Sequence, residues 1–226
     1  MRAFSDATVV FDLDGTLVDT APDLAAAANT VLREIGRPEL TVGELRPYVG
    51  KGARETLRHG IAVSGGGVEE DGLTDLLERF LAVYMSRIAQ DSRPYPHVIE
   101  AMDALGAGGA VLAVCTNKRE DPARLLLQQL GLLDRFAAVV GGDTCPTRKP
   151  DPESLGETLR RCGGRARAVM IGDTAADVGA ARGLGIPIVA VSFGYSPLPA
   201  AQLGADAVID SYKALVPTLN TVLESA

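Results

Sequence analysis

Tryptophan is absent from this chain of 226 residues, and aromatic side chains make up only 4% of it. A core must therefore be packed from aliphatic residues, and a hydrophobic content of 46% can supply one. Cysteine is scarce. Cys115, Cys145 and Cys162 form neither a disulfide framework nor a metal-binding spacing, and they read as reduced thiols of a cytoplasmic protein. Positive charge is in deficit, with 22 Lys and Arg against 29 Asp and Glu and a net charge of −7. That balance argues against nucleic acid or an anionic membrane as a partner, so an anionic substrate must find its positive contacts locally. No apolar run reaches the ~18 residues of a membrane-spanning helix. Met1–Ala7 is too short and polar to open a signal peptide. The only histidines, His59 and His97, read as structural or solvated, and no internal repeat is visible.

What the chain does contain is a series of short apolar runs rich in β-branched residues: Thr8–Phe11, Ala110–Cys115, Ala137–Val140, Ala168–Ile171, Ile188–Val191 and Ala207–Ile209. From the second run onward, most are separated by helical patterns, at Val98–Leu105, Pro122–Leu130, Pro152–Cys162 and Ala175–Leu184, and Tyr212–Leu223 reads as a closing helix. Gly131 and Gly185 stand where helix C-caps belong. Continuous apolar strands alternating with helices predict an α/β fold with a Rossmann-like parallel sheet covered on both faces.

One interval breaks the alternation. Between Thr20 and Arg93 no strand pattern occurs. Thr20-Ala21-Pro22-Asp23 reads as a helix start with Thr20 as N-cap, followed by Leu24, Ala28, Val31, Leu32 and Ile35 at helical spacing and closed by Gly36. Leu73, Leu76, Leu77, Phe80, Leu81 and Tyr84 fit one face of a later helix, and Ser64-Gly65-Gly66-Gly67 reads as a loop. Residues 19–89 are therefore expected to form a separate helical domain inserted into a core of residues 1–18 and 90–226. The chain crossings near Val18–Ala21 and Ser86–Pro94 would serve as hinges.

The strand ends carry the candidate chemistry. Val9-Val10-Phe11-Asp12-Leu13-Asp14-Gly15-Thr16 is an apolar run delivering two carboxylates to its C-terminal edge, at a desolvation cost that a cation and an anionic substrate would explain. A strand followed by an ordinary polar turn has the same composition. Asp12 and Asp14 are two apart, so in an extended segment both side chains project to one side. A carboxylate with a reference pKa of ~3.9 is ionised at neutral pH and can attack phosphorus without an activating base. A second carboxyl beside it suits proton transfer to a leaving oxygen. Gly15 permits a close turn whose amide could bind a phosphoryl group. Asp173 and Asp177 lie at another strand end, one helical turn apart, although Asp173 could equally cap the helix that starts there. With Asp12 they make a small set of hard oxygen donors of the kind that suits Mg²⁺. Thr116 and Asn117 at a third strand end could donate to phosphate oxygens, and Lys149 could balance negative charge.

In order and spacing, Asp12-Leu13-Asp14-Gly15-Thr16, Thr116-Asn117, Lys149-Pro150 and Gly172-Asp173 through Asp177 resemble the four motifs of haloacid dehalogenase-like phosphatases, and the insert resembles that family's type I α-helical cap. The resemblance implies Asp12 as nucleophile and Mg²⁺ ligand, and Asp14 as acid/base with its backbone carbonyl on Mg²⁺. It also implies Thr116 and Lys149 holding the phosphoryl group with Asn117 in support, and Asp173 and Asp177 at the metal. In the dehalogenases of that family the position of Asp14 is not an acid, so its presence favours phosphate chemistry.

Softer signals, among them Tyr48-Val49-Gly50-Lys51-Gly52-Ala53, Gly141-Gly142-Asp143 and Phe193-Gly194-Tyr195, resemble the phosphoglycolate phosphatase subgroup. That implies a phosphomonoesterase acting on a small phosphorylated metabolite, 2-phosphoglycolate first among them. Lys51 or Arg54 of the insert would then be positioned to pair with its carboxylate. The expected assembly is a monomer or homodimer. A sugar-phosphate mutase, a phosphonatase using Lys51, and a phospho-acceptor signalling domain remain as alternatives; Asp14 and the insert count against the last.

Overall fold

The computed structural model describes residues 3–224. Its frame is a six-stranded sheet made of β1 (Ala7–Phe11), β4 (Val111–Cys115), β5 (Ala138–Val140), β6 (Arg167–Gly172), β7 (Ile188–Val191) and β8 (Ala207–Ile209). The strands lie in the order β5-β4-β1-β6-β7-β8, with every neighbouring pair parallel. Strands buried on both sides explain the unbroken apolar runs. Val9 and Phe11 of β1 enter one hydrophobic cluster, whereas Val10 packs in a second with Ala113, Cys115, Met170 and Ile188. Helices α5 (Val98–Ala107), α6 (Glu120–Gln129) and α9 (Leu215–Glu224) contribute to the first cluster, and α7 (Glu153–Arg161) and α8 (Ala175–Gly183) to the second.

The interval after β1 holds four helices: α1 (Ala21–Glu34), α2 (Val42–Val49), α3 (Ala53–Val63) and α4 (Glu70–Ser86). α2 starts at a capping box in which the Thr41 hydroxyl accepts from the Glu44 N–H at 3.3 Å and Glu44 accepts from the Thr41 N–H at 2.7 Å. Leu32, Leu45, Leu57, Ile61, Leu73 and Phe80 are all buried and continue the cluster that covers one face of the sheet.

The two chain crossings run side by side as a ribbon. β2 (Val18–Asp19) pairs antiparallel with β3 (Arg93–Pro94), two strands too short to show alternation in sequence. Asp23 clasps the second crossing from the first turn of α1. Its carboxylate accepts from the N–H groups of Asp91 at 3.0 Å and Ser92 at 2.8 Å, from the Ser92 hydroxyl at 2.7 Å and from Arg87 at 3.3 Å.

The expected N-cap at Thr20 takes a different form. Its hydroxyl donates to Asp14 at 2.6 Å, and the buried Tyr195 hydroxyl accepts from the N–H groups of Thr20 at 2.6 Å and Ala21 at 3.0 Å. A carboxylate six residues upstream competes successfully for the threonine side chain, and a tyrosine from the other end of the chain does the capping.

Candidate active site at the carboxyl edge of the sheet

The register of the central strands brings the motifs together. Phe11 lies beside Val114 of β4 and Ile171 of β6, so the residues that follow it share one edge with those that follow its neighbours. This is the edge at which open α/β sheets bind ligands.

Asp12 and Lys149 meet there, both nearly buried. The Lys149 ammonium donates to Asp12 Oδ1 at 2.9 Å, Asp177 Oδ1 at 2.6 Å and the Cys115 carbonyl at 2.7 Å. Burial opposes the charge of Lys149, but Asp12 and Asp177 outweigh it and hold the ammonium above the ordinary lysine range. Burial pushes the Asp12 carboxyl up to about 6, with Lys149 opposing and the charge of Asp177 adding to the rise.

Asp173 is oriented from two sides, its carboxylate accepting from the Thr16 hydroxyl at 2.9 Å and the Tyr195 N–H at 2.6 Å. It does not cap α8. That role belongs to Thr174, whose N–H and hydroxyl donate to Asp177 Oδ2 at 3.0 Å and 2.7 Å. Thr174 engages only Oδ2, which leaves Asp177 Oδ1 for Lys149. Carboxylate oxygens of Asp12, Asp173 and Asp177 all lie within 4.8 Å of one another. Burial, then the charges of Asp12 and Asp177, raise the Asp173 carboxyl well above the usual range. Three crowded, desolvated carboxylates served by one lysine are a donor set that a hard divalent cation fits. Gly172 makes the crowding possible: a Cβ there would stand 2.4 Å from the Asp177 carboxyl carbon.

Asp14 stands apart from this trio. Its carboxylate accepts from the Thr20 hydroxyl at 2.6 Å and from Lys118 at 3.1 Å and 3.3 Å. A cavity of about 290 Å³ opens over both acids. Thr116, Asn117, Lys118 and Lys149 line its sheet side, Gly50, Gly52 and Ala53 the junction of α2 and α3, and Leu77, Leu81 and Tyr84 the face of α4. Thr116 is 2% exposed. Asn117 donates to the Lys149 carbonyl at 2.9 Å and thereby braces the lysine loop.

Three expectations meet a different geometry. The Gly15 amide donates to the Val18 carbonyl at 3.0 Å, within its own turn, so it is spent internally. The positive φ of 85° at Gly15 and the approach of Asp173 Oδ2, 2.6 Å from where a Cβ would stand, explain the glycine instead. Lys51 and Arg54 do not line the cavity. Lys51 lies over the Tyr48 ring at 4.8 Å, and Arg54 pairs with Glu70 from the first turn of α4. The backbone of that segment reaches the cavity while its charges turn away.

Sequence reasoning passed over Lys118, Tyr84, Thr16 and Tyr195. Lys118 follows Thr116 by two residues, an alternation that put it on the same side of the strand end. Tyr84 falls on the apolar face of its helix, and nothing local distinguishes it from that face.

Residues 9–191 match the model of the family described as haloacid dehalogenase-like hydrolase. A phosphoglycolate phosphatase of Caulobacter vibrioides is 44% identical over 226 residues, spanning 100% of this chain and 95% of its own. One from Agrobacterium fabrum is 43% identical, spanning 93% and 91%. Among solved structures, a predicted phosphoglycolate phosphatase from Haemophilus somnus superposes with a TM-score of 0.87 at 28% identity, covering 96% of this chain and 99% of that one. The motif residues gathered at the sheet edge and the extent of these matches lead to one conclusion: the chain belongs to the haloacid dehalogenase-like hydrolase family.

Proposed function

We propose that the protein is a Mg²⁺-dependent phosphomonoesterase that hydrolyses 2-phosphoglycolate to glycolate and phosphate through an aspartyl-phosphate on Asp12. The observation that carries this reading is the division of labour between the two acids of one strand end. Asp12 faces a lysine and two further carboxylates, whereas Asp14 faces a hydroxyl and a separate lysine. The names of relatives at 42–44% identity over nearly their whole length support the substrate.

Asp12, Asp173 and Asp177, with the Asp14 backbone carbonyl, would hold Mg²⁺. When bound, the ion supplies charge neutralisation and polarises the phosphoryl group. Lys149 holds Asp12 Oδ1, which leaves Oδ2 to attack phosphorus. The new P–O bond forms as the ester P–O bond breaks, and Asp14 gives its proton to the departing alkoxide. Asp14 then takes a proton from water as the water oxygen bonds to phosphorus and the Asp12–phosphorus bond breaks. Thr116, at the cavity wall, donates to a phosphoryl oxygen, and Thr20 and Lys118 hold Asp14 in orientation. Phosphate-monoester hydrolysis has among the slowest uncatalysed rates, with enzymic accelerations of up to ~10²¹-fold, which accounts for covalent and electrostatic catalysis in one site.

Residues 19–89 act as a cap over the cavity in this reading, the β2–β3 ribbon serving as its hinge, and closure excludes bulk water. Free thiols at Cys115, Cys145 and Cys162 support a cytoplasmic setting, and no helix among the described residues is long and apolar enough to cross a membrane. A panel of phosphorylated metabolites assayed for phosphate release tests the proposal. Preferred turnover of 2-phosphoglycolate, abolished in Asp12→Asn and by chelator, is the expected result. Preference for a sugar phosphate, or turnover surviving in Asp12→Asn, contradicts it.

A further inference from the structure

Lys118 is unusual among the cations of the cavity. Its side chain is 8% exposed, against 2% for Lys149, yet it is not enclosed by carboxylates as Lys149 is. Asp14 occupies one side of its ammonium, at 3.1 Å and 3.3 Å, and the Tyr84 ring another, with the nitrogen 4.6 Å from the centroid. An ammonium has three donors, so capacity remains for one more acceptor. Tyr84 is 2% exposed and lines the same cavity; Lys118 lies beside its hydroxyl as well as its ring, and the hydroxyl proton finds no acceptor among the described residues. A buried hydroxyl left in that state is costly and needs an explanation.

We infer that Lys118 and Tyr84 form the specificity subsite of the cavity, receiving the carboxylate of a small phosphorylated acid while its phosphoryl group meets Asp12. The inference rests on the phosphomonoesterase reading above and moves charge recognition from Lys51 and Arg54 to the sheet edge and α4. An ionised carboxylate only accepts hydrogen bonds, and it finds here an ammonium and a spare hydroxyl donor. Leu24, Val49, Leu77 and Leu81 make the side of the cavity formed by the insert largely apolar, a wall with no partners for the additional hydroxyl groups of a sugar phosphate. Arg119 and Arg148 also reach the lining but are exposed, Arg119 being paired with Asp143, so they form the rim and a carboxylate there would stay in water.

The test compares 2-phosphoglycolate with 2-hydroxyethyl phosphate, in which a neutral hydroxymethyl group replaces the carboxylate. The readout is the ratio of the two kcat/KM values, because effects transmitted through Asp14 fall on both esters and cancel. Tyr84→Phe keeps the ring under Lys118 and removes only the hydroxyl. The ratio is expected to fall about tenfold in Tyr84→Phe and about a hundredfold in Lys118→Met, the range for hydrogen bonds to a charged group. Calorimetric titration of both esters into Asp12→Asn protein, with and without Tyr84→Phe, reads the same preference as binding without turnover. An unchanged ratio in both variants, or a ratio that collapses only in Arg148→Gln, overturns the subsite. Failure of the phosphatase reading looks different: wild-type protein turns over neither ester, while the calorimetric preference for the carboxylate, and its loss in Tyr84→Phe, persist.

Discussion

Removing a single oxygen atom from Tyr195 should loosen the start of the helical insert. The Tyr195 hydroxyl accepts from the N–H groups of Thr20 at 2.6 Å and Ala21 at 3.0 Å and donates to Asp19 at 2.7 Å. Burial, with Tyr95 and Asp19 nearby, holds the phenol far above its ordinary range, so it stays a neutral donor throughout the folded pH range. In Tyr195→Phe the two N–H groups lose their acceptor at positions that are fully buried. Asp19 keeps Arg46 at 2.6 Å and partial solvent access, so its loss is small. At ~1–3 kcal/mol for each stranded buried donor, the expected loss is about 3 kcal/mol. For a chain of this size that corresponds to a fall in Tm of ~6–12 °C. Thermal unfolding followed by circular dichroism measures it, and the fall should be the same at pH 6 and pH 8 because no titration is involved. A shift below ~2 °C would refute the reasoning, since the donors would then have found other acceptors at no cost.

Three further outcomes follow from the same geometry. Asp23→Asn removes a buried carboxylate that holds Asp91, Ser92 and Arg87, and should cost about 3 kcal/mol in urea unfolding. Gly172→Ala should weaken Mg²⁺ binding by at least about tenfold in calorimetric titration, since its Cβ would stand 2.4 Å from the Asp177 carboxyl carbon and displace a carboxylate proposed to hold the ion. Mg²⁺ affinity should fall as pH drops, because the free site takes up protons at Asp12, pushed up to about 6, and at Asp173, raised well above the usual range, and the metal must displace them. The sign is fixed by the upward shifts of Asp12 and Asp173: affinity rises with pH and declines as either carboxylate takes up a proton. Titrations at pH 5 and pH 7.5 that agree within error would contradict it.

Much of the site could be read from the sequence because its signal is local. An apolar run that ends in acid, hydroxyl or lysine marks a strand end, and a parallel sheet brings such ends to one edge whatever the connections between them. That logic brought Asp12, Asp14, Thr116, Lys149, Asp173 and Asp177 to one place. It fails where a distant residue decides. Arg54 has a glycine-rich neighbourhood that suggests a ligand, but Glu70 captures it. The Gly15 amide is consumed by Val18, a pairing that exists only once the turn closes. Tyr84 obeys the apolar period of α4, so its stranded hydroxyl becomes visible only with Lys118 beside it. β2 and β3 are two residues each and carry no periodicity.

The central claim is that Asp12 carries the phosphoryl group. Acid quenching of wild-type protein during turnover of 2-phosphoglycolate labelled in its phosphoryl group tests it most directly, with one portion digested to locate the label and a second reduced with borohydride before peptide mass spectrometry. The expected result is label on the peptide containing Asp12 in the unreduced portion and conversion of that side chain alone to homoserine in the reduced one, with neither seen in Asp12→Asn. Rapid turnover with no acyl phosphate at Asp12, or with the label on Asp14, would contradict it.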